Sequence, residues 1–160
     1  VMSSDSGPIP WLDDEQQVSW RSFLEGSARL TEALNRDLDA ESQLSLHEYE
    51  VLVRLSENPE RTLRMSALAD TLAHSRSRVT HTVRRLEDRG LVRRQACLDD
   101  GRGVDCVLTD AGMATLAEAA PHHVRSVRRH MVDVLSPEQM RVLGEAMSLV
   151  AGACRRSDAD

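Results

Sequence analysis

Apolar residues recur at helical spacing along most of the chain, and where that period lapses they alternate over two short runs. From Trp11 to about Leu38, the positions Trp20, Phe23, Leu24, Leu30, Leu34 and Leu38 keep a helical repeat with charges between them. A helix of about 25 residues would be about 38 Å long, more than one small lobe requires. A second helix starts at Ser45, an N-cap whose Glu48 completes an S-x-x-E capping box, with Leu44 and Tyr49 at the staple positions. It runs to about Glu57 and buries residues from the set Tyr49, Leu52, Val53 and Leu55. Residues 61 to 64 read as a minor strand, and Ser66 reads as the cap of a third helix with Met65, Leu68 and Leu72 inward.

The Ala73-His74 turn is short, and Ser75 can cap a fourth helix. At 100° per residue Val79, Val83 and Leu86 fall within about 60° of one another as a core stripe. Ser77, His81, Arg84 and Asp88 lie opposite, flanked by Thr80 and Arg85. Gly90 supplies a left-handed stop with Leu91 as the next apolar contact. Residues 91 to 96 and 104 to 108 alternate as strands around Asp99-Asp100-Gly101-Arg102-Gly103, forming a hairpin wing. Thr109 caps a fifth helix in which Pro121 should produce a kink or break. Ser136-Pro137-Glu138-Gln139 opens the last helix with cap, proline at N1 and glutamine at N3, and Met140, Leu143, Met147 and Val150 make its apolar stripe. The pattern predicts a mainly α chain with a small β wing. It comprises a mobile arm at 1–10, a long helix at 11–40, a winged helix-turn-helix lobe at 41–109 and helices at 110–155.

Charge sharpens this picture. The chain of 160 residues carries a net charge of −6, and all 20 of its basic residues are arginine. By segment the balance is −9 over residues 1–60, +3 over 61–110 and 0 over 111–160. Between Ser75 and Arg94, seven arginines face two acids, a local +5. Positive charge placed on a helix beside a hairpin suits a double-stranded nucleic acid. The absence of a long apolar run or a leader pattern predicts a soluble cytoplasmic protein with no membrane partner.

The stretch LRMSALADTL-AHSRSRVTHTVRRLEDRGLVRR, the DDGRG tip and VLTDAG resemble the winged helix-turn-helix regulators of the MarR family over about Leu44 to Leu135. The resemblance implies a homodimer whose N- and C-terminal helices intertwine while two winged lobes read a pseudo-palindromic operator. It implies a transcriptional regulator, a ligand-responsive repressor, and not an enzyme. The family's wing tip places an acid and a minor-groove arginine at Asp100 and Arg102, with Gly101 standing where a second arginine is common. The expected DNA contacts are therefore Ser75, Arg76, Ser77, Arg78, Thr80, His81, Arg84 and Arg85 on the recognition helix, and Arg94, Asp100 and Arg102 on the wing. An arginine can hold the O6 and N7 of guanine together, and one in a narrow minor groove gains from the negative potential there.

The family takes small aromatic or phenolic effectors between the dimer helices and the DNA lobe, which here points to Trp20, Tyr49 and Glu50. Thr82 stands where the urate-responsive subgroup has an arginine, which disfavours urate. No cofactor is expected. His122, His123 and His130 do not combine with cysteine or carboxylate at ligand spacing, and no metal site is expected in the chain. Cys97 and Cys106 could oppose each other across the wing as a redox pair, although buried small-hydrophobe roles are commoner. No phosphate loop, nucleophile elbow or HExxH motif is present. The alternative to DNA reading is a winged-helix protein-interaction module or anti-regulator.

Overall fold

The computed structural model describes residues 9–97 and 103–157. Six α-helices and three strands run in the order α1 (Asp14–Ser42), α2 (Leu46–Ser56), β1 (Thr62–Arg64), α3 (Met65–Leu72), α4 (Arg76–Asp88), β2 (Val92–Ala96), β3 (Val104–Leu108), α5 (Asp110–Val127) and α6 (Pro137–Ser157), with a π-turn at Arg128–Val132 between the last two helices. The expected class, mainly α with a small β wing, is the one observed.

Local signals account for most boundaries. Asp13 and Gln16 form a reciprocal capping box at the start of α1, and Gln43 closes the helix in the left-handed region at φ 53°. Ser45 and Glu48 form the expected box on α2. Ser75 accepts from the Arg78 N–H, and Thr109 from the Gly112 N–H. Ser136 and Gln139 exchange bonds of 3.2 and 2.8 Å at the head of α6. Gly90, at φ 72°, ends α4 with its own N–H on the Glu87 carbonyl and the Leu91 N–H on the Leu86 carbonyl, which satisfies carbonyls that the helix leaves open.

Two expectations are corrected. Ser66 is not a cap: β1 passes directly into α3, Arg64 occupies the cap position without a side-chain bond, and Ser66 lies inside the first turn. Pro121 does not break α5, which continues through it to Val127. The proline is on the exposed face, where water can take the carbonyl that loses its donor. The interruption comes later, in the π-turn, where the Asp133 N–H reaches back five residues to the Arg128 carbonyl.

The strands form one antiparallel sheet in the order β1-β3-β2. Its register pairs Arg94 with Cys106 and Ala96 with Val104, which leaves Cys97 beside Gly103. The expected opposition of Cys97 and Cys106 is therefore wrong: three residues of strand separate their pairing positions. Cys106 is fully buried, and burial pushes its thiol up to about 12.

One core runs from Leu38 near the end of α1 through Leu52, Leu55, Leu68, Val79, Val83, Leu86, Cys106 and Leu108 to Ala119 on α5. The N-terminal half of α1 and most of α6 stand away from it. Trp11, Val18, Trp20, Leu24, Leu149 and Val150 are exposed. Between α1, the π-turn and α6 opens an apolar cleft of about 670 Å³, lined by Phe23, Leu30, Met131, Leu135, Leu143 and Met147 among others.

Candidate nucleic-acid interface

The fourth helix turns Val79, Val83 and Leu86 inward, each at most 1% exposed, as the spacing predicts. That stripe locks the rotation of the helix, so Ser75, Arg76, Ser77, Arg78, Thr80, His81, Arg84 and Arg85 are all left on the exposed side. Thr80 donates its hydroxyl to the Arg76 carbonyl at 2.8 Å, which leaves only its lone pairs for an external donor. Arg76, Arg78 and Arg84 form no ion pair among the described residues. They are free cations on a fixed scaffold.

Two ion pairs fix that scaffold. Glu48 is only 1% exposed, although its residue type is seldom buried without a partner. One carboxylate oxygen accepts from the Ser45 N–H at 2.8 Å, and the other lies 3.3 Å from Nε of Arg85. Arg89 approaches the first oxygen at 4.0 Å and donates to the Gln43 carbonyl at 2.9 Å. The same residue thus caps α2 and holds the C-terminal half of α4. Arg85 is consequently shared between Glu48 and the surface.

At the end of the helix, Glu87 accepts from the Arg94 backbone N–H at 2.9 Å and from Nε and Nη2 at 2.9 and 2.6 Å. These bonds hold the Glu87 carboxyl below its ordinary range and raise the Arg94 guanidinium. The structure therefore places Arg94, expected on the wing's DNA face, in a staple between α4 and β2. Asp100 and Arg102 lie outside the described residues, as do residues 1–8 of the expected arm.

Sequence reading passed over one part of this surface. Arg64, Met65 and Ser66 at the β1–α3 junction, Arg76 and Thr80 on α4, and Gly103 and Val104 at the base of the wing line a common cleft. It faces the first turn of α3, whose backbone N–H groups have no partner within the helix. The available signal was the direct run of strand into helix at Arg64, which the mistaken cap at Ser66 concealed.

The expected effector residues have separate partners. Trp20 is half-exposed on α1 and stacks on Phe23 with ring centroids 5.8 Å apart. Tyr49 is buried against His123 at 4.4 Å, and Glu50 sits 3.5 Å from His47. The histidines of α5 and the π-turn disperse as well: His122 meets Glu41, while His130 joins Arg129 and Ser126 on Asp37. A different group comes together instead, His47, Glu50 and His74, and the separation of 27 positions between His47 and His74 hid it from any spacing rule.

The MarR family model matches residues 42–103, from the last turn of α1 through the base of the wing. The HTH-type transcriptional regulator PecS of Dickeya dadantii is 30% identical over 114 residues, 69% of this chain and 66% of that protein. Sco3205 of Streptomyces coelicolor, a MarR family transcriptional regulator whose crystal structure is in complex with DNA, superposes with a TM-score of 0.87 at 43% identity, covering 90% of this chain and 94% of that one. AbsC, a MarR family transcriptional regulator of the same organism, gives a TM-score of 0.85 at 43% identity over 91% and 97% of the two chains. The likeness extends well beyond the helix-turn-helix into the helices that flank it, and the chain belongs to the MarR family of transcriptional regulators.

Proposed function

We propose that this regulator binds a pseudo-palindromic double-stranded operator as a homodimer, with α4 in the major groove and the wing against the minor groove. The observation that carries the reading is the row of unpaired exposed cations Arg76, Arg78 and Arg84 on a helix whose opposite face is fully buried. Arg84, with Ser77 and His81, is assigned to base edges, and Arg76 and Arg78 to phosphates. Arg85 contributes while paired with Glu48, and Arg102 is the minor-groove contact oriented by Asp100. The N-terminal half of α1 and α6, with the segment after the π-turn, are the dimer arms. Their exposed apolar residues and the cleft between them supply the surface that a second copy would cover. Dimerisation sets the spacing of the two recognition helices, which must match grooves about 34 to 36 Å apart.

On this reading the protein acts in the cytoplasm as a repressor relieved by a small aromatic effector. What supports an effector site is the pairing of the buried Tyr49 ring with the half-buried His123 ring near Glu50, at the junction of α2 with α5. No described helix is long and apolar enough to cross a membrane.

Fluorescence anisotropy on a palindromic site, selected from genomic fragments and titrated at several salt concentrations, tests the proposal. Arg78→Ala should weaken all sequences alike and reduce the salt slope by about 1, while Arg84→Ala should cost about 1 to 3 kcal/mol at the base it reads. Binding without salt dependence, or no enriched inverted repeat, would overturn it.

A further inference from the structure

Behind the recognition helix, three side chains with metal-binding chemistry converge. His47 and Glu50 are one turn apart on α2 and share a face. His74 reaches them from the turn between α3 and α4, immediately before the Ser75 cap. One ligand atom from each of the three lies within 4.8 Å of the others. The two imidazoles meet edge to face with centroids 4.6 Å apart, and Nδ1 of His47 is 3.5 Å from Oε2 of Glu50.

Among the described residues these groups have few other hydrogen-bond partners. The His47–Glu50 contact is at the limit of a hydrogen bond. The His74 ring makes no hydrogen bond among the described residues. All three are half-buried, so solvent and ions can reach them. Both approaches are firmly held. The start of α2 is fixed by Asn35, which accepts from the Leu46 N–H at 2.9 Å. The turn is fixed by Ala73 in the left-handed region at φ 52°, with the Ala73 N–H on the Asp70 carbonyl and the His74 N–H on that of Ala69. An alanine held in that conformation is strained, and the strained backbone directs His74 towards α2.

We propose that His47, Glu50 and His74 form a binding site for a divalent transition metal of the zinc class, joining α2 to the turn that launches the recognition helix. Two imidazoles and a carboxylate are a ligand set that zinc accepts, with its fourth position left to water or an exogenous donor. Bonds of about 2.0 to 2.2 Å to the metal put neighbouring ligand atoms roughly 3.4 Å apart, so the outermost pair must close by roughly 1.5 Å, within the reach of side-chain rotation. The site lies outside the α4 surface assigned to DNA, and its test needs no operator.

Purified full chain, stripped with a chelator, is titrated with zinc against a chromophoric competitor, and with cobalt(II) to read the visible absorption of a tetrahedral complex. One metal per chain is expected. His47→Gln and His74→Gln should each lower zinc affinity about 100-fold or more and abolish the cobalt spectrum, with Glu50→Gln intermediate. Cys97→Ser, Cys154→Ser and His122→Gln should bind as the parent does. Far-UV circular dichroism identifies any variant that fails to fold. For such a variant, the distance of bound manganese from isotopically labelled His47 and His74 in the parent protein, read by paramagnetic relaxation, gives the answer instead. Zinc binding that survives in both folded histidine variants, a cobalt spectrum that disappears with Cys97 or Cys154, or relaxation that misses both histidines would overturn the proposal.

Discussion

At the scale of single residues, two glycines near the α4–β2 and β3–α5 junctions look equivalent in the sequence and are not. Gly90 has a left-handed backbone but open space around a virtual Cβ, whereas a Cβ on Gly112 would sit 2.0 Å from the Leu91 carbonyl oxygen and 2.7 Å from Leu108. Gly90→Ala should therefore cost only the left-handed backbone penalty, about 1 to 2 kcal/mol. Gly112→Ala must displace the main chain and should cost more, about 3 kcal/mol. Urea unfolding of the two variants should rank them in that order; equal losses would mean that Leu91 yields freely. Gly90 was legible because the residues before it fix a helix end. Gly112 was not, because its constraint is an oxygen 21 residues away.

Among elements, the capped ends were legible wherever donor and acceptor are three residues apart, as at Ser45 and Glu48 or Ser136 and Gln139. What escaped was the second duty of Glu48. Its charge faces Arg85, 37 residues on, and no local pattern records the crossing of α2 and α4. The strand register escaped for the same reason, since the residues around the wing tip leave open which cysteine faces what. Glu48→Gln preserves the carbonyl that caps Ser45 and should lose about 1 kcal/mol, with Arg85 released. Glu48→Ala removes cap and counter-charge together and should lose about 2 to 4 kcal/mol. Thermal denaturation distinguishes them, and equal values would mean that Glu48 acts through its charge on Arg85 and not through the cap.

For the molecule as a whole, the contact between α1 and the π-turn depends on Asp37. Its carboxylate accepts from Ser126, from Arg129 at 2.6 Å and from His130 at 2.9 Å. The Ser126 hydrogen bond first, with those of Arg129 and His130, lowers its pKa from 3.8 to about 2. The folded state therefore holds fewer protons than the unfolded one between those values. The stability that Asp37 supplies is complete above about pH 4 and is lost as pH falls towards 2. Asp37→Asn should be less stable than the parent at pH 5, with the gap closing near pH 2 in urea melts; a gap independent of pH would assign the effect to packing. The π-turn beside this cluster also determines how the far end of the chain is oriented. It accommodates one more residue per turn than an α-helix does. Deleting a single position within 128–132 would restore ordinary winding and rotate every later residue by about 100° around the axis. The face of α6 that carries Met140, Leu143 and Met147 would then swing away from α1. The chain thus uses a winding defect as an indexing step, and the seat of α6 against α1 hangs on one inserted residue.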